Sequence, residues 1–180
     1  MAHELTMNGN VAEMAYTGDA CWHGLGQKLQ EGASIEEWKK AAGMGWDINR
    51  APIQFETGDY MKPGIMADKH VLFRSDTKAP LGVVSDNYKI VQPGEVLEFF
   101  RDLVAGNGFS LHTAGTLFGG KRMWALASSG EQACIMGNQD AVGGYLLLST
   151  SCDGTLATEA RFTTVRVVCN NTLRMAKNEK

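Results

Sequence analysis

The spacing of apolar residues changes from helical to alternating and back again along the chain. Near the N-terminus, Ser34 and Glu37 match a capping box, so the sequence predicts a short helix that ends at Gly43. A longer helix is predicted from Pro93 to Gly106, because proline suits the first helical turn and apolar residues then recur at helical spacing. Between these two helices, the alternation of apolar and polar residues predicts strands.

The hairpin signals are clearest in the last seventy residues. Gly119–Gly120 is a two-residue turn of the kind that hairpins favour. This turn predicts that Leu117 faces Arg122 and that Gly115 faces Trp124, which would seat the indole over a bare glycine. The sequence therefore predicts a strand on each side of this turn.

A further hairpin is predicted to turn at Asp153–Gly154 and to pair Tyr145 with Phe162. After this hairpin, apolar residues from Val165 to Ala176 fall at helical spacing, so we expect a C-terminal helix.

These elements predict an α+β fold, in which an antiparallel sheet of hairpins carries helices packed on one face. At 180 residues the chain is long enough for a single domain with its own core. Within it we expect an N-terminal loop and short helix (1–45), a first hairpin region (46–91), and a C-terminal part of helix, hairpins and basic helix (92–180).

Charge is distributed unevenly along the chain, although the net charge is only −3. Residues 1–100 carry 9 Lys and Arg against 14 Asp and Glu, whereas residues 101–180 carry 8 against 6. A polyanion, if one binds, should therefore meet the C-terminal part. An ordinary mixed surface would give the same counts.

Composition and apolar run lengths point to a cytoplasmic protein without a membrane partner. No apolar run approaches the roughly 18 residues that a membrane-spanning helix needs, and the N-terminus lacks the basic start and apolar stretch of a signal peptide. The four cysteines are then expected to be reduced thiols.

Sequence motifs for catalysis or metal binding are missing, so we expect no enzyme, no catalytic residue, no metal and no cofactor. Cys21 and His23 leave one alternative open, because a nucleophile and its base meet in space rather than in sequence. For the tryptophan between them, Trp22, the favoured role is that of an anchor against the core.

Basic and amide side chains recur near the C-terminus at spacings of four, four and three. On a helix they would form one line of donors that suits the phosphates of an extended strand. Two more cations and a tryptophan near the predicted glycine turn would add charge and a stacking surface. A solvated helix face and a polar turn would explain the same pattern. The candidate nucleic-acid-binding residues are Lys121, Arg122, Trp124, Arg161, Arg166, Asn170, Arg174 and Lys177.

Short segments in a fixed order carry a resemblance to a known family. They are the segments at 22–26 (WHGLG), 74–77 (RSDT), 81–84 (LGVV), 88–92 (YKIVQ), 152–155 (CDGT) and 168–173 (VCNNTL). In these segments the chain resembles the phage/plasmid-like proteins grouped as domain of unknown function 932. The resemblance implies a mobile element in a bacterial host cell, and it implies that the chain is the N-terminal core of a longer protein. It implies no activity.

The predicted architecture is also similar to the core of the single-strand annealing proteins, the RecT, Redβ and ERF class of phage recombinases. This similarity implies binding of single-stranded DNA and strand annealing in recombination, without catalytic residues. It also implies assembly of the chain with itself into a ring or filament. The similarity is one of topology, so it is an analogy of fold.

Two other classes of function remain open at this point. One is a protein-binding module that uses exposed aromatic and apolar patches, for example a phage inhibitor of a host defence factor. The other is an enzyme built around Cys21 and His23 or around a carboxylate cluster.

Overall fold

The computed structural model describes residues 3–58, 62–106, 108–134 and 141–177. In chain order the strands are β1 (Met7–Asn8), β2 (Val11–Ala12), β3 (Met14–Tyr16), β4 (Gln27–Lys28), β5 (Ile48–Phe55), β6 (Gly64–Arg74), β7 (Pro80–Ser85), β8 (Ser110–Leu117), β9 (Arg122–Cys134), β10 (Ala141–Ser151) and β11 (Glu159–Thr163). The helices are α1 (Ile35–Ala41), α2 (Pro93–Glu98), α3 (Arg101–Gly106) and α4 (Asn170–Ala176). The predicted α+β class is confirmed. Among these elements no helix is long and apolar enough to cross a membrane.

A six-stranded sheet in the order β11-β10-β9-β8-β3-β4 forms the centre of the fold. Its neighbours pair antiparallel except β3 and β4, which are parallel. The strands β5, β6 and β7 form a separate antiparallel sheet, and β1 pairs with β2. The N-terminal region, which was predicted to be a loop and a helix, therefore also contributes two strands to the central sheet.

The predicted register of the β8–β9 hairpin is confirmed. Leu117 pairs with Arg122 and Gly115 with Trp124. A Cβ atom added at Gly115 would lie 2.6 Å from the Trp124 ring, so the bare glycine does seat the indole. The connection itself is a short 3-10 turn at Phe118–Gly120 rather than a two-residue turn, but it closes on the same pair.

The predicted register of the β10–β11 hairpin is wrong by one residue. Tyr145 pairs with Thr163, not with Phe162. The hydroxyl of Ser151 donates to the Leu156 carbonyl and accepts from the Leu156 N–H, at 3.0 and 2.9 Å, which holds a broad loop where a tight turn was expected. A slip of one residue exchanges the two faces of a strand.

The central sheet is buried on both faces. Along β9, Met123 and Ala125 belong to one apolar cluster, whereas Trp124 and Leu126 belong to another. Helices α1 and α2 contribute to the first cluster, while α4 packs into the second. The helices therefore cover both faces rather than one, because the central strands are apolar on both sides.

Two of the predicted helices are shorter in the structure. The helix expected from Pro93 to Gly106 is divided into α2 and α3 around the fully buried Phe100. The C-terminal helix begins only at Asn170, so Arg166 precedes it. The predicted line of donors along one helix is therefore wrong.

Candidate nucleic-acid interface

His23 joins two segments that are 145 positions apart. Its Nδ1 accepts a hydrogen bond from the Leu25 N–H at 3.0 Å, so the hydrogen is on Nε2, which donates to the Val168 carbonyl at 3.1 Å. Burial lowers the pKa of the ring, and nearby His3 and Arg166 lower it further, against the opposing effect of the Val168 contact. Because Nδ1 accepts one hydrogen bond and Nε2 donates the other, the His23 ring is neutral and connects the N-terminal loop to the segment that precedes α4.

Cys21, two residues before His23, is buried. Burial raises the pKa of its thiol, an effect that Arg166 partly offsets. A buried protonated thiol beside a neutral imidazole with both nitrogens occupied is not the arrangement of a nucleophile and its base. Within the described ranges, no group of three or more His, Cys, Asp or Glu side chains is placed to hold a metal ion.

The Trp22 indole projects from this loop, with 70% of the residue exposed. Its ring lies edge-on to two histidines, with centroid distances of 4.8 Å to His3 and 5.3 Å to His23. The expectation that Trp22 anchors against the core is therefore wrong. Cys21 and His23 therefore point into the protein, whereas Trp22 is exposed to solvent and packs against the His3 and His23 rings.

Helix α4 begins beside these rings. The Asn170 N–H donates to the His3 carbonyl at 3.2 Å. Arg174 follows one turn later on the same side of the helix and is exposed. The side-chain atoms Asn170 Oδ1 and His3 Nδ1 are both buried and have no hydrogen-bond partner in the described structure. The region around His3 and α4 thus contains the exposed Trp22 ring, the exposed Arg174 side chain and two buried polar atoms without hydrogen bonds.

The β8–β9 turn is hydrogen-bonded to the N-terminal segment one residue after His3. The Phe118 N–H donates to the Glu4 carbonyl at 3.0 Å, next to His3 in the chain. The Arg122 guanidinium lies 5.2 Å from the centroid of the partly exposed Phe118 ring. We name the resulting set the Trp22 surface; its members are His3, Trp22, Phe118, Arg122, Asn170 and Arg174.

Trp124, which was predicted to stack on bases, is fully buried. Its Nε1 donates to the Thr113 hydroxyl at 3.2 Å, inside the second apolar cluster. The predicted stacking role of this residue is therefore wrong, because the alternation of β9 turns its ring into the core.

Other predicted cations are engaged within the protein. Lys177 Nζ and Arg161 Nε lie 2.7 and 3.0 Å from the same carboxylate oxygen of Glu159. The Lys177 contact joins the end of α4 to β11, whereas the Arg161 contact lies within β11. Arg166 donates to the carbonyls of Thr17 and Asp19 at 3.3 and 2.7 Å. These three do not line an open trough with the remaining cations.

The remaining predicted residues lie nearer the surface. Lys121 is half-buried in the β8–β9 turn, and Arg122 donates to the Thr155 hydroxyl at 3.3 Å. Asn170 and Arg174 lie at the start of α4 as described above. Sequence reasoning missed His3, Trp22 and Phe118 as surface residues, although the two glycines that follow Trp22-His23 could have indicated a projecting loop.

Residues 80–180 match the family model described as Domain of unknown function (DUF932), which covers more than half of the chain. The chain belongs to this family. The predicted membership is thus confirmed, and the DUF932 match includes α4 and the β8–β9 turn but not Trp22. No curated protein and no solved structure matched the chain.

Proposed function

We propose that this chain binds single-stranded DNA through the Trp22 surface and that several copies together promote the annealing of complementary strands. The observation that carries the proposal is the exposed Trp22 indole, held beside His3 where two distant segments meet. The proposal keeps Arg122, Asn170 and Arg174 from the predicted set and replaces Trp124 by Trp22.

Stacking on an exposed ring suits an unpaired strand. Each base that stacks on an aromatic side chain contributes about 1–3 kcal/mol and does so with any base, because every base has a π-face. Arg174 lies one helical turn after Asn170, whose N–H binds the carbonyl of His3, and Arg122 is linked to the same N-terminal segment through Phe118 and Glu4. Arg174 is exposed, and Arg122 would exchange its contact with the Thr155 hydroxyl for a phosphate oxygen. Phosphate contacts fix the backbone without reading sequence. Watson–Crick edges would then stay free to pair with a second strand.

The overall charge limits what one copy can achieve. With a net charge of −3, a single subunit repels a polyanion at long range. Affinity should therefore come from several Trp22 surfaces that engage one strand, since linked sites raise the effective concentration of each other. Binding that is steep in protein concentration is the expected form.

A salt titration of binding to a labelled oligothymidylate tests the proposal. We expect Trp22→Ala to weaken binding about tenfold or more, from the loss of one stacked base. We expect Arg174→Ala to lower the slope of log affinity against log salt by about 0.7 per site, from the loss of one phosphate contact. Phe99→Ala is the matched control, because this residue is an aromatic that is 43% exposed and lies outside the Trp22 surface.

Two results would overturn the proposal. One is the absence of binding by the wild-type protein at low salt. The other is an affinity of Trp22→Ala equal to that of the wild type and of Phe99→Ala.

A further inference from the structure

A polar cavity of about 520 Å³ lies between the end of α1, the β1–β2 hairpin and the residues that follow β6. Glu13 and Arg74 line its buried end, with side chains that are 7% and 4% exposed. Asp76, which is bonded to Arg74, also lines it, and Lys40 of α1 lines it near the surface. A concave site with a few convergent polar groups is the usual form of a small-molecule site. We call this feature the α1 cavity.

The ion cluster at the buried end of the α1 cavity carries more negative than positive charge. Arg74 Nη2 donates to Glu13 Oε1 at 2.7 Å and to Asp76 Oδ2 at 2.9 Å. The hydrogen bonds from Arg74 lower the pKa of Asp76 to about 2, so this carboxylate is charged at neutral pH. Two carboxylates against one guanidinium leave a formal charge of −1 in the wall of the cavity.

The same carboxylates keep unused capacity for hydrogen bonds, since each carboxylate oxygen can accept about two. Glu13 Oε2 accepts from Arg74 Nη1 and from the Thr116 hydroxyl, and Asp76 Oδ1 accepts from Arg74 Nε and from the Thr77 N–H. Among the described residues, Glu13 Oε1 and Asp76 Oδ2 accept only from Arg74 Nη2. A primary ammonium group would supply both the missing donors and the missing positive charge.

The exposed end of the α1 cavity has the opposite character. Lys39 and Lys40 both line it, and Lys39 is paired with Glu98 at 2.7 Å. Lys40 is exposed and makes no hydrogen bond or ion pair with another described residue. Val11 and Trp46 also line the cavity and offer apolar contact. The cavity therefore presents an acceptor site with surplus negative charge, an unneutralised cation and apolar surface.

We propose that the α1 cavity binds a free α-amino acid with an apolar side chain. The ammonium group of the ligand donates to Glu13 Oε1 and Asp76 Oδ2, its carboxylate accepts from Lys40, and its side chain packs against Val11. A ligand with only one of the two charges leaves the other end of the cavity unmatched, which is the basis of selectivity. The volume of about 520 Å³ lies in the range of small-molecule sites.

The α1 cavity and the Trp22 surface have no residue in common. The inference therefore does not depend on the nucleic-acid proposal. It is tested without DNA, so its failure would leave DNA binding by the Trp22 surface unaffected.

Isothermal titration calorimetry with leucine, and in parallel with phenylalanine, tests the inference. Two analogues of leucine are matched controls, because isocaproate lacks only its ammonium group and isoamylamine lacks only its carboxylate. We expect leucine or phenylalanine to bind saturably with one-to-one stoichiometry. Isocaproate should bind at least about tenfold more weakly than leucine, since charge-assisted hydrogen bonds at the buried end are lost. Isoamylamine should bind about threefold more weakly, since a contact with an exposed lysine contributes less.

Variants at the two ends of the cavity locate the ligand. Asp76→Asn removes the surplus negative charge with little change of shape and should weaken amino-acid binding about tenfold. Lys40→Met keeps an unbranched side chain without the charge and should weaken it about threefold. Lys28→Met is the matched control, because Lys28 is an exposed lysine of β4 that does not line the cavity. Far-UV circular dichroism checks folding, and Lys40→Met, at an exposed position, keeps the test available if Asp76→Asn is unfolded.

Three results would overturn the inference. Neither leucine nor phenylalanine could bind saturably up to about 10 mM, which excludes a site of useful affinity. Isocaproate or isoamylamine could bind as tightly as leucine, which would show that the cavity does not require both charges. Asp76→Asn and Lys40→Met could both bind the amino acid as Lys28→Met does, which would place the ligand elsewhere.

Discussion

The Arg74 guanidinium meets the Glu13 carboxylate in a two-pronged contact, with Nη1–Oε2 and Nη2–Oε1 distances of 3.0 and 2.7 Å. Both side chains are buried, with exposed fractions of 4% and 7%. The Thr116 hydroxyl donates to the same carboxylate at 2.6 Å, and the guanidinium lies 4.1 Å from the centroid of a Trp46 ring. The pair therefore joins the end of β6 in the three-stranded sheet to the central sheet.

Glu13→Ala should lower the free energy of unfolding by about 3 kcal/mol, the lower end for breaking a buried pair, because Arg74 keeps Asp76 as a partner while the Thr116 hydroxyl loses its acceptor. Urea unfolding followed by circular dichroism measures the loss. Asp76→Ala removes the other carboxylate that binds Arg74. The Asp76 side chain is 41% exposed. Its loss should cost less than the loss of Glu13, because water reaches the Asp76 carboxylate and replaces part of the contact. Equal losses in the two variants would contradict this account of the pair.

Stability should fall as the pH is lowered from about 6.5 to about 4, in part because of His112. Burial, with a smaller contribution from Arg166 and against the opposing effect of Asp19, lowers the pKa of this ring to about 4. In the unfolded chain the ring titrates near pH 6.5. Between these two values only the unfolded state binds the proton, so acid favours unfolding.

Urea unfolding at several pH values, on the wild type and on His112→Phe, measures the contribution of this ring. Phenylalanine keeps the stacking on Tyr145, whose ring centroid lies 5.4 Å away, and removes the titration. The variant should therefore lose less stability than the wild type over this range. The same pH dependence in both proteins would show that His112 does not contribute.

Gly115→Ala should destabilise the protein by about 1–3 kcal/mol, because overpacking forces a tightly packed core apart. The new Cβ would lie 2.6 Å from the Trp124 ring and 2.7 Å from the Glu13 carbonyl oxygen. Gly45→Ala is the matched control, since a Cβ there meets nothing within 4 Å. The thermal midpoints of the two variants compare them directly. Equal midpoints would contradict this account, because they would require both the Trp124 ring and the Glu13 backbone to move aside at little cost.

The sequence correctly predicted those parts of the fold in which the interacting residues are close to each other in the chain. The Ser34–Glu37 capping box forms as predicted, with the Glu37 N–H on the Ser34 hydroxyl at 3.3 Å and the Ser34 N–H on the Glu37 carboxylate at 2.7 Å. The register of Gly115 against Trp124 likewise follows from a short turn between neighbouring strands. In both cases the interacting groups are close in sequence.

The candidate site depends instead on contacts between distant segments. Arg166 fits the helical spacing of the sequence but lies before α4. Its guanidinium binds the carbonyl groups of Thr17 and Asp19, which are 149 and 147 positions away in the chain. Tryptophan is usually buried, so the sequence alone favours a buried Trp22. In the structure its neighbour His23 points inward to bind the Val168 carbonyl, and Trp22 is exposed. No pattern within either segment contains this information.

Intrinsic tryptophan fluorescence during titration with unlabelled oligothymidylate tests the central claim most directly. Trp38, Trp46 and Trp124 are at most 5% exposed, whereas Trp22 is 70% exposed, so a stacked base should quench the emission of Trp22. Trp22→Phe should abolish the quenching while keeping most of the affinity for a labelled strand, because phenylalanine still stacks. Saturable quenching that disappears in Trp22→Phe is the predicted result. Quenching that persists in Trp22→Phe, or wild-type binding without quenching, would contradict the assignment of the Trp22 surface.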